Sequence, residues 1–198
     1  MGLNVAGKTT TIRMLLGMMK PNGGTAYING KEVNAGNHKL WKDIRYLVEM
    51  PYSYPELSVY ENLESVRRLR GISDKKVIDF VIKKLHLTEY RDKYANKLSL
   101  GNAQRLGIAK AIMHNPSILF FDEPSNGLDP AGIVEIRELL IDLAENHGVT
   151  IFISSHILGE ISKFASRIGI INNGKLIQEA DSQKINILNQ KKTYSGCY

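Results

Sequence analysis

The sequence predicts an α/β fold: a parallel sheet with helices on both faces, a helical lobe inserted between two of its strands, and small antiparallel β elements. Three observations lead there. A glycine-containing loop at residues 2–10 opens into a helical stretch. The run Ile118-Leu119-Phe120-Phe121 is continuously apolar, as a strand buried on both faces requires. Beyond it, strand-like and helix-like segments alternate, which argues βα units rather than a bundle or a sandwich.

Thr10–Met19 reads as the first helix, closed by Pro21 and Gly23-Gly24. Thr25–Ile28, the turn Asn29-Gly30 and Lys31–Val33 read as a hairpin, because Asn-Gly fits the positive φ of a tight turn. Ile44–Val48 is a strand that halts at Glu49, ahead of Pro51. From about residue 54 to 115 the pattern becomes helical. Ser58 and Glu61 have capping-box spacing, and Ser73 or Asp74 caps the next helix, with Val77, Phe80, Val81 and Leu85 on one face. A third helix runs from near Gly101 to Met113 and stops before Pro116. After the apolar strand, Asp129-Pro130 is an N-cap with proline at the first helical position, and that helix continues to Gly148. Val149–Ile153 is a strand and Ile157–Ala165 a helix. Ile168–Ile171, the turn Asn173-Gly174 and Leu176-Ile177 form a last hairpin. The reading is one domain over 1–180, with the lobe at about 54–115 inserted, and a polar tail at 181–198.

Composition narrows the class. The chain has 198 residues, 43% hydrophobic and 23% charged, which suits one globular domain. Its net charge of +6 is spread along the chain and reads as a solubilising surface, with anionic substrates or membrane headgroups as the other reading. The single cysteine, Cys197, excludes a disulfide framework and a thiolate zinc site. No apolar run approaches the ~18 residues of a membrane span. Work at a membrane therefore implies a separate membrane-spanning partner.

Gly2-Leu3-Asn4-Val5-Ala6-Gly7-Lys8-Thr9 matches the spacing GxxxxGK[ST] of a phosphate-binding loop. In such a loop, backbone N–H groups and a helix N-terminus wrap the phosphates. The candidate contact set is Asn4, Ala6, Gly7, Lys8, Thr9 and Thr10, with Lys8 reaching the β- and γ-phosphates and the Thr9 hydroxyl on Mg²⁺. Taken alone, the pattern also fits a surface turn that opens a helix. Asp122-Glu123, at the end of the apolar strand, supplies the acids a phosphoryl-transfer site needs. Asp122 is placed to hold Mg²⁺ through water and Glu123 to polarise an attacking water. The bland reading is a solvated acidic turn, which the upstream GKT loop disfavours.

Leu98-Ser99-Leu100-Gly101-Asn102-Ala103-Gln104-Arg105 resembles the LSGGQ signature of ABC ATPases, with Leu100 replacing the first of the paired glycines and Asn102 the usual glutamine. The order of motifs agrees with that family. Asn126-Gly127-Leu128-Asp129 looks like its D-loop, and Ser154-Ser155-His156 after a strand looks like its switch histidine, although a lone His156 also fits a surface or capping role. Glu49 stands at the Q-loop place, where glutamine is usual. The resemblance spans roughly residues 2 to 180 and implies a P-loop NTPase fold. It further implies binding and hydrolysis of Mg·ATP by two sandwiched cassettes, in which Ser99 and Gly101 of one close over nucleotide held by the other. Glu123 and His156 are then catalytic, Asp129 lies at the dimer seam, and Glu49 joins Thr9 and Asp122 at the metal. The implied partners are a second cassette and an integral membrane permease, with no nucleic acid. The implied location is the cytoplasmic face of a plasma membrane. Glu49, the string Tyr54-Pro55-Glu56-Leu57-Ser58 and Ser99-Leu100-Gly101 are similar to the bacitracin and lantibiotic resistance branch of exporters.

Family members carry a strand and an adenine-stacking aromatic residue ahead of the phosphate loop, which here begins at residue 2. The expectation is a truncated form. Losing a central strand removes about four buried apolar side chains, roughly 6–12 kcal/mol, against a domain stability of ~5–15 kcal/mol. Val5, where glycine is usual, adds crowding to the loop. The alternative reading is therefore a relic that binds nucleotide weakly or not at all. A non-transport ABC protein acting on ribosomes or DNA is disfavoured by the lack of a second cassette or long coiled-coil insertion. A small-molecule kinase leaves Leu98–Arg105 and His156 unexplained.

Overall fold

A computed structural model of the chain describes residues 6–34, 36, 40–42, 44–47 and 52–181. Asn4, Val5, Val48 and Glu49, and the tail 182–198, lie outside the described residues.

Among the described residues, three parallel strands form the central sheet in the order β3-β4-β5, where β3 is Ile44–Leu47, β4 Ile118–Asp122 and β5 Thr150–Ser154. Ile44 pairs with Ile118 and Ile118 with Thr150, and the register carries through to Asp122 opposite Ser154. Every residue of β4 is buried, as its unbroken apolar run predicts. Because side chains alternate across a strand, β4 sends Ile118 and Phe120 to one face and Leu119 and Phe121 to the other. Helix α1 (Lys8–Leu15) covers the first face through Ile12, joined by Leu16, Ile28, Leu40 and Ile44. The opposite face carries the larger core, in which Leu119 and Phe121 meet Leu63, Ile78, Val81, Leu106, Ile136 and Leu140. Helices on both faces are thus confirmed.

The larger core joins α2 (Val59–Leu69), α3 (Lys76–Lys84), α4 (Leu100–Ile112) and α5 (Pro130–Glu145) to the sheet. The caps expected of α2 and α5 are present, whereas α3 has Lys75 at its N-cap without a side-chain cap, Asp74 Oδ1 only accepting from the Lys76 amide one residue further on. Ser58 accepts from the Glu61 amide while Glu61 accepts from the Ser58 amide, and Asp129 accepts from the Gly132 amide at 3.1 Å. Hairpins β1 (Tyr27–Ile28) with β2 (Lys31–Glu32) and β6 (Arg167–Asn172) with β7 (Lys175–Asp181) turn at Asn29-Gly30 and Asn173-Gly174 as read.

Three expectations are corrected. The first helix spans Lys8–Leu15 rather than 10–19: the Gly17 amide turns back to the Met14 carbonyl, closing the helix well before Pro21. The segment 157–165 is helical only over α6 (Leu158–Ile161), beyond which the amides of Phe164 and Ala165 both return to Ile161. Gly159 and the β-branched Ile157 and Ile161 offer that segment little helix propensity. Phe80 does not share the inward face of α3. It is 60% exposed, and Ile78, Val81, Ile82 and Leu85 are buried instead.

Candidate functional site

The carboxyl end of the sheet faces the start of α1, and there the predicted motifs meet. Gly7, the N-cap of α1, adopts φ 99°, and no side chain caps that helix. Its first turn presents Lys8, which is 8% exposed, together with Thr9 and the exposed Thr10. The buried Ala6 is fixed from outside the motif, because its carbonyl accepts from the Gly174 amide at 2.9 Å. The turn between β6 and β7 therefore buttresses the loop.

Asp122 ends β4, is 4% exposed, and accepts from two hydroxyls. Thr9 Oγ1 donates to Asp122 Oδ2 at 2.5 Å, and Ser154 Oγ donates to Asp122 Oδ1. Glu123 is the next residue. Its amide reaches Ser154, the carbonyl and Oγ each at 3.2 Å. Its backbone is left-handed, with φ 52°, a conformation costing about 1–3 kcal/mol for a non-glycine residue and concentrated at functional sites. That turn swings the carboxylate to the phosphate loop: Glu123 Oε1 pairs with Lys8 Nζ at 3.1 Å. The other oxygen, Oε2, lies 2.8 Å from His156 Nδ1. Lys8, Thr9, Asp122, Glu123 and His156 thus form one connected group.

Other expected residues stand elsewhere. Ser99 is the N-cap of α4 and accepts from the Asn102 amide at 3.3 Å. Ser99 is exposed and Gly101 half-buried, and both stand at the α4 start beside the Asn126–Asp129 turn. A Cβ on Gly101 would fall 2.9 Å from the Gly127 carbonyl oxygen. Asp129 is occupied in capping α5. Asn4 and Glu49 lie outside the described residues. The sequence reading missed the role of Ser154, a buried hydroxyl that links β5 to both acids. The legible signal was a polar residue closing an apolar strand.

The donor chemistry fits Mg²⁺. A hydroxyl and a carboxylate side by side are hard oxygen ligands, and Mg²⁺ sites in phosphoryl transfer take one or two protein oxygens plus phosphate and water. Among the described residues no group of three or more His, Cys, Asp and Glu could hold a metal. Among the described residues no helix is long and apolar enough to cross a membrane.

The geometry has a family match. The ABC transporter family model matches residues 1–126. The chain belongs to the ABC transporter ATP-binding family. Its curated relatives include the bacitracin transport ATP-binding protein of Bacillus licheniformis, 44% identical over 96% of this chain and 62% of the relative. A lantibiotic transport ATP-binding protein of Streptococcus pyogenes is 37% identical over 91% of this chain and 76% of its own length. The chain thus spans less than two thirds of the length of the bacitracin relatives. Among solved structures, an ATP-binding subunit of an ABC transporter superposes with a TM-score of 0.82 at 27% identity, over 96% of this chain and 80% of that one. A dimeric ATP-binding cassette in a post-hydrolysis state with ADP and phosphate gives 0.83 at 26% identity, over 91% and 83%.

Proposed function

We propose that this ABC cassette binds Mg·ATP at the Lys8–Thr9–Asp122–Glu123–His156 group and hydrolyses it to drive a membrane permease, as the power unit of an antimicrobial-peptide exporter. The observation that carries the reading is the convergence of three separate motifs on Glu123, with Lys8 on one carboxylate oxygen and His156 on the other. A phosphate chain at the α1 N-terminus would compete with Glu123 for Lys8. Exchange of that ion pair frees one carboxylate oxygen to accept a proton from water, while His156 stays on the other. Thr9 and Asp122 are the residues that would hold Mg²⁺, whose charge would offset that of the β- and γ-phosphate oxygens. Ser154 keeps Asp122 oriented by donating to it.

Exposed Ser99 and half-buried Gly101, standing apart from this group, fit a site completed by a second copy of the cassette. Asp129 and its turn pack on that same helix start, and so belong to the same seam. Tyr52 and Tyr54, exposed where the chain leaves the sheet for the helical lobe, fit a surface for a permease. The names of the bacitracin and lantibiotic relatives support the exporter branch and, with a permease partner, the cytoplasmic membrane face. Residues 1–180 are read as one domain with the lobe at 54–115 inserted, in line with the single core that joins lobe helices to the sheet.

Glu123→Gln tests the reading. The variant should bind Mg·ATP and turn over about a hundredfold or more slowly, roughly 3 kcal/mol of barrier. Unchanged turnover removes Glu123 from its role.

A further inference from the structure

The stretch from Tyr52 to Ser58 joins the sheet to α2, and it is held from two sides by side chains that the catalytic group does not use. Asn62 on α2 is 1% exposed. Its Nδ2 lies 3.0 Å from the Tyr54 carbonyl, 3.1 Å from that of Leu57 and 3.0 Å from that of Ser58. Its Oδ1 accepts from the Tyr54 amide at 2.9 Å. Lys110 on α4 reaches the same place. Its ammonium donates to the Tyr52 carbonyl at 3.1 Å, Ser53 Oγ at 2.8 Å and Asn62 Oδ1 at 3.0 Å.

All three acceptors are neutral, and among the described residues no carboxylate stands within ion-pair distance of Lys110. The acids of α2 are already engaged: Glu61 by the Ser58 amide, Glu64 by Arg67 and Arg68. On α3, Asp79 pairs with Arg91. The remaining ionisable groups are cationic or neutral: Tyr52 and Tyr54 in the held segment, and His114 in the turn beyond α4, whose own charged neighbours are Arg45 and Arg70. Holding a half-buried lysine in one place is normally unfavourable, since its long stem loses rotamer freedom and its charge loses part of its water. Three well-formed bonds that tie two other elements to one helix give the placement a purpose.

We propose that Lys110 is a positioning residue that clamps the segment Tyr52–Ser58 to α4, so that this segment and the helix start at Ser99 move as one body. Ten to eleven residues of continuous helix separate Lys110 from Ser99, about 16 Å of rigid rod. A displacement of the Tyr52–Ser58 segment therefore appears at the Ser99 end without passing through the phosphate loop. The ammonium has three protons for three oxygens. A neutral amine has two, so deprotonation leaves one acceptor unserved. Burial pulls the Lys110 ammonium down to about 8, so the clamp is complete at neutral pH and loosens as pH rises through that value.

The mechanical meaning rests on the proposed role of Ser99 in closing over nucleotide; the clamp itself does not, and its test contains no nucleotide. Amide hydrogen exchange is measured by NMR on the full chain, as protection factors, for Tyr54 and for Leu119–Phe121 of β4 as the folding reference. Between pH 7 and 9 Tyr54 should lose protection tenfold or more relative to β4. In Lys110→Met that loss should already be present at pH 7 and the pH dependence gone, while Lys110→Arg, which stays charged, should hold Tyr54 protection constant across the range. A flat Tyr54-to-β4 ratio from pH 7 to 9 in the wild type, or an unchanged pH dependence in Lys110→Met, overturns the proposal. If Lys110→Met also exposes β4, the wild-type titration alone decides.

Discussion

Ser154→Ala isolates the residue that ties both acids to the sheet. Ser154 is 3% exposed and Asp122 4%, so neither gains water when the hydroxyl is removed. Asp122 keeps Thr9 on Oδ2 but loses its partner on Oδ1, and the Glu123 amide keeps only the Ser154 carbonyl. A hydrogen bond to a buried charged group contributes about 1.5–3 kcal/mol. For a chain of this size each kcal/mol moves the melting temperature by roughly 2–4 °C, so the fall should be about 3–12 °C. The assay is urea and thermal unfolding of four proteins: wild type, Ser154→Ala, Asp122→Asn and the double variant. Because the charge strengthens the bond, Ser154→Ala should cost at least about 1 kcal/mol less in the Asp122→Asn background. A loss below about 0.5 kcal/mol in the wild-type background, or the same loss in both backgrounds, refutes the reasoning.

Gly127→Ala should destabilise the chain by more than Gly71→Ala in urea unfolding. Both glycines have positive φ, 77° and 64°, but a Cβ on Gly127 would lie 2.4 Å from Leu100 Cγ whereas one on Gly71 meets open space. Equal costs would mean that Leu100 yields freely and that the turn does not brace the Ser99 helix start. Acid should weaken the fold before its carboxylates titrate. Both ring nitrogens of His114 are buried without a partner, and burial, then the charges of Arg45 and Arg70, pull its pKa down to about 4. A folded pKa below the ordinary ~6.5 means that the unfolded chain takes up the proton first, so stability falls as pH drops from 6.5 towards 4. His114→Phe should flatten that part of the stability–pH curve, and an unchanged slope would assign it to other groups. Glu61, Glu64 and Asp142 are held low by hydrogen bonds, Glu61 from Ser58, Glu64 from Arg67 and Arg68, Asp142 from Lys84 and Asn146; their loss comes at lower pH still.

The sheet and the chemistry were legible for different reasons. β4 announced itself because burial on both faces leaves no room for a polar residue, and Ser58-Glu61 and Asp129-Pro130 because capping depends on local spacing. Lys8, Thr9, Asp122, Glu123 and His156 were legible because each motif fixes a side chain at an element end, and parallel βα topology brings those ends together. What lay hidden depended on tertiary contact. The left-handed backbone of Glu123, which aims its carboxylate at Lys8, has no local signal. Nor does the hold of the Gly174 amide on Ala6, which joins residues from opposite ends of the described chain. Phe80 was misplaced because two faces of α3 are apolar and only the packing of Ile78 and Ile82 against the core separates them. The short α6 was overread because its apolar spacing fits a helix whose propensity is poor.

The most direct test of the central claim is thermal unfolding of the full chain with and without Mg·ATP, beside Lys8→Ala. A ligand bound only to the folded state at a hundred times its Kd adds about 2.7 kcal/mol, which corresponds to roughly 5–10 °C for a chain of this length. The wild type should shift by that amount with Mg·ATP and Lys8→Ala should not. No shift in the wild type, or an equal shift in Lys8→Ala, would contradict nucleotide binding at the Lys8–Asp122–Glu123 group.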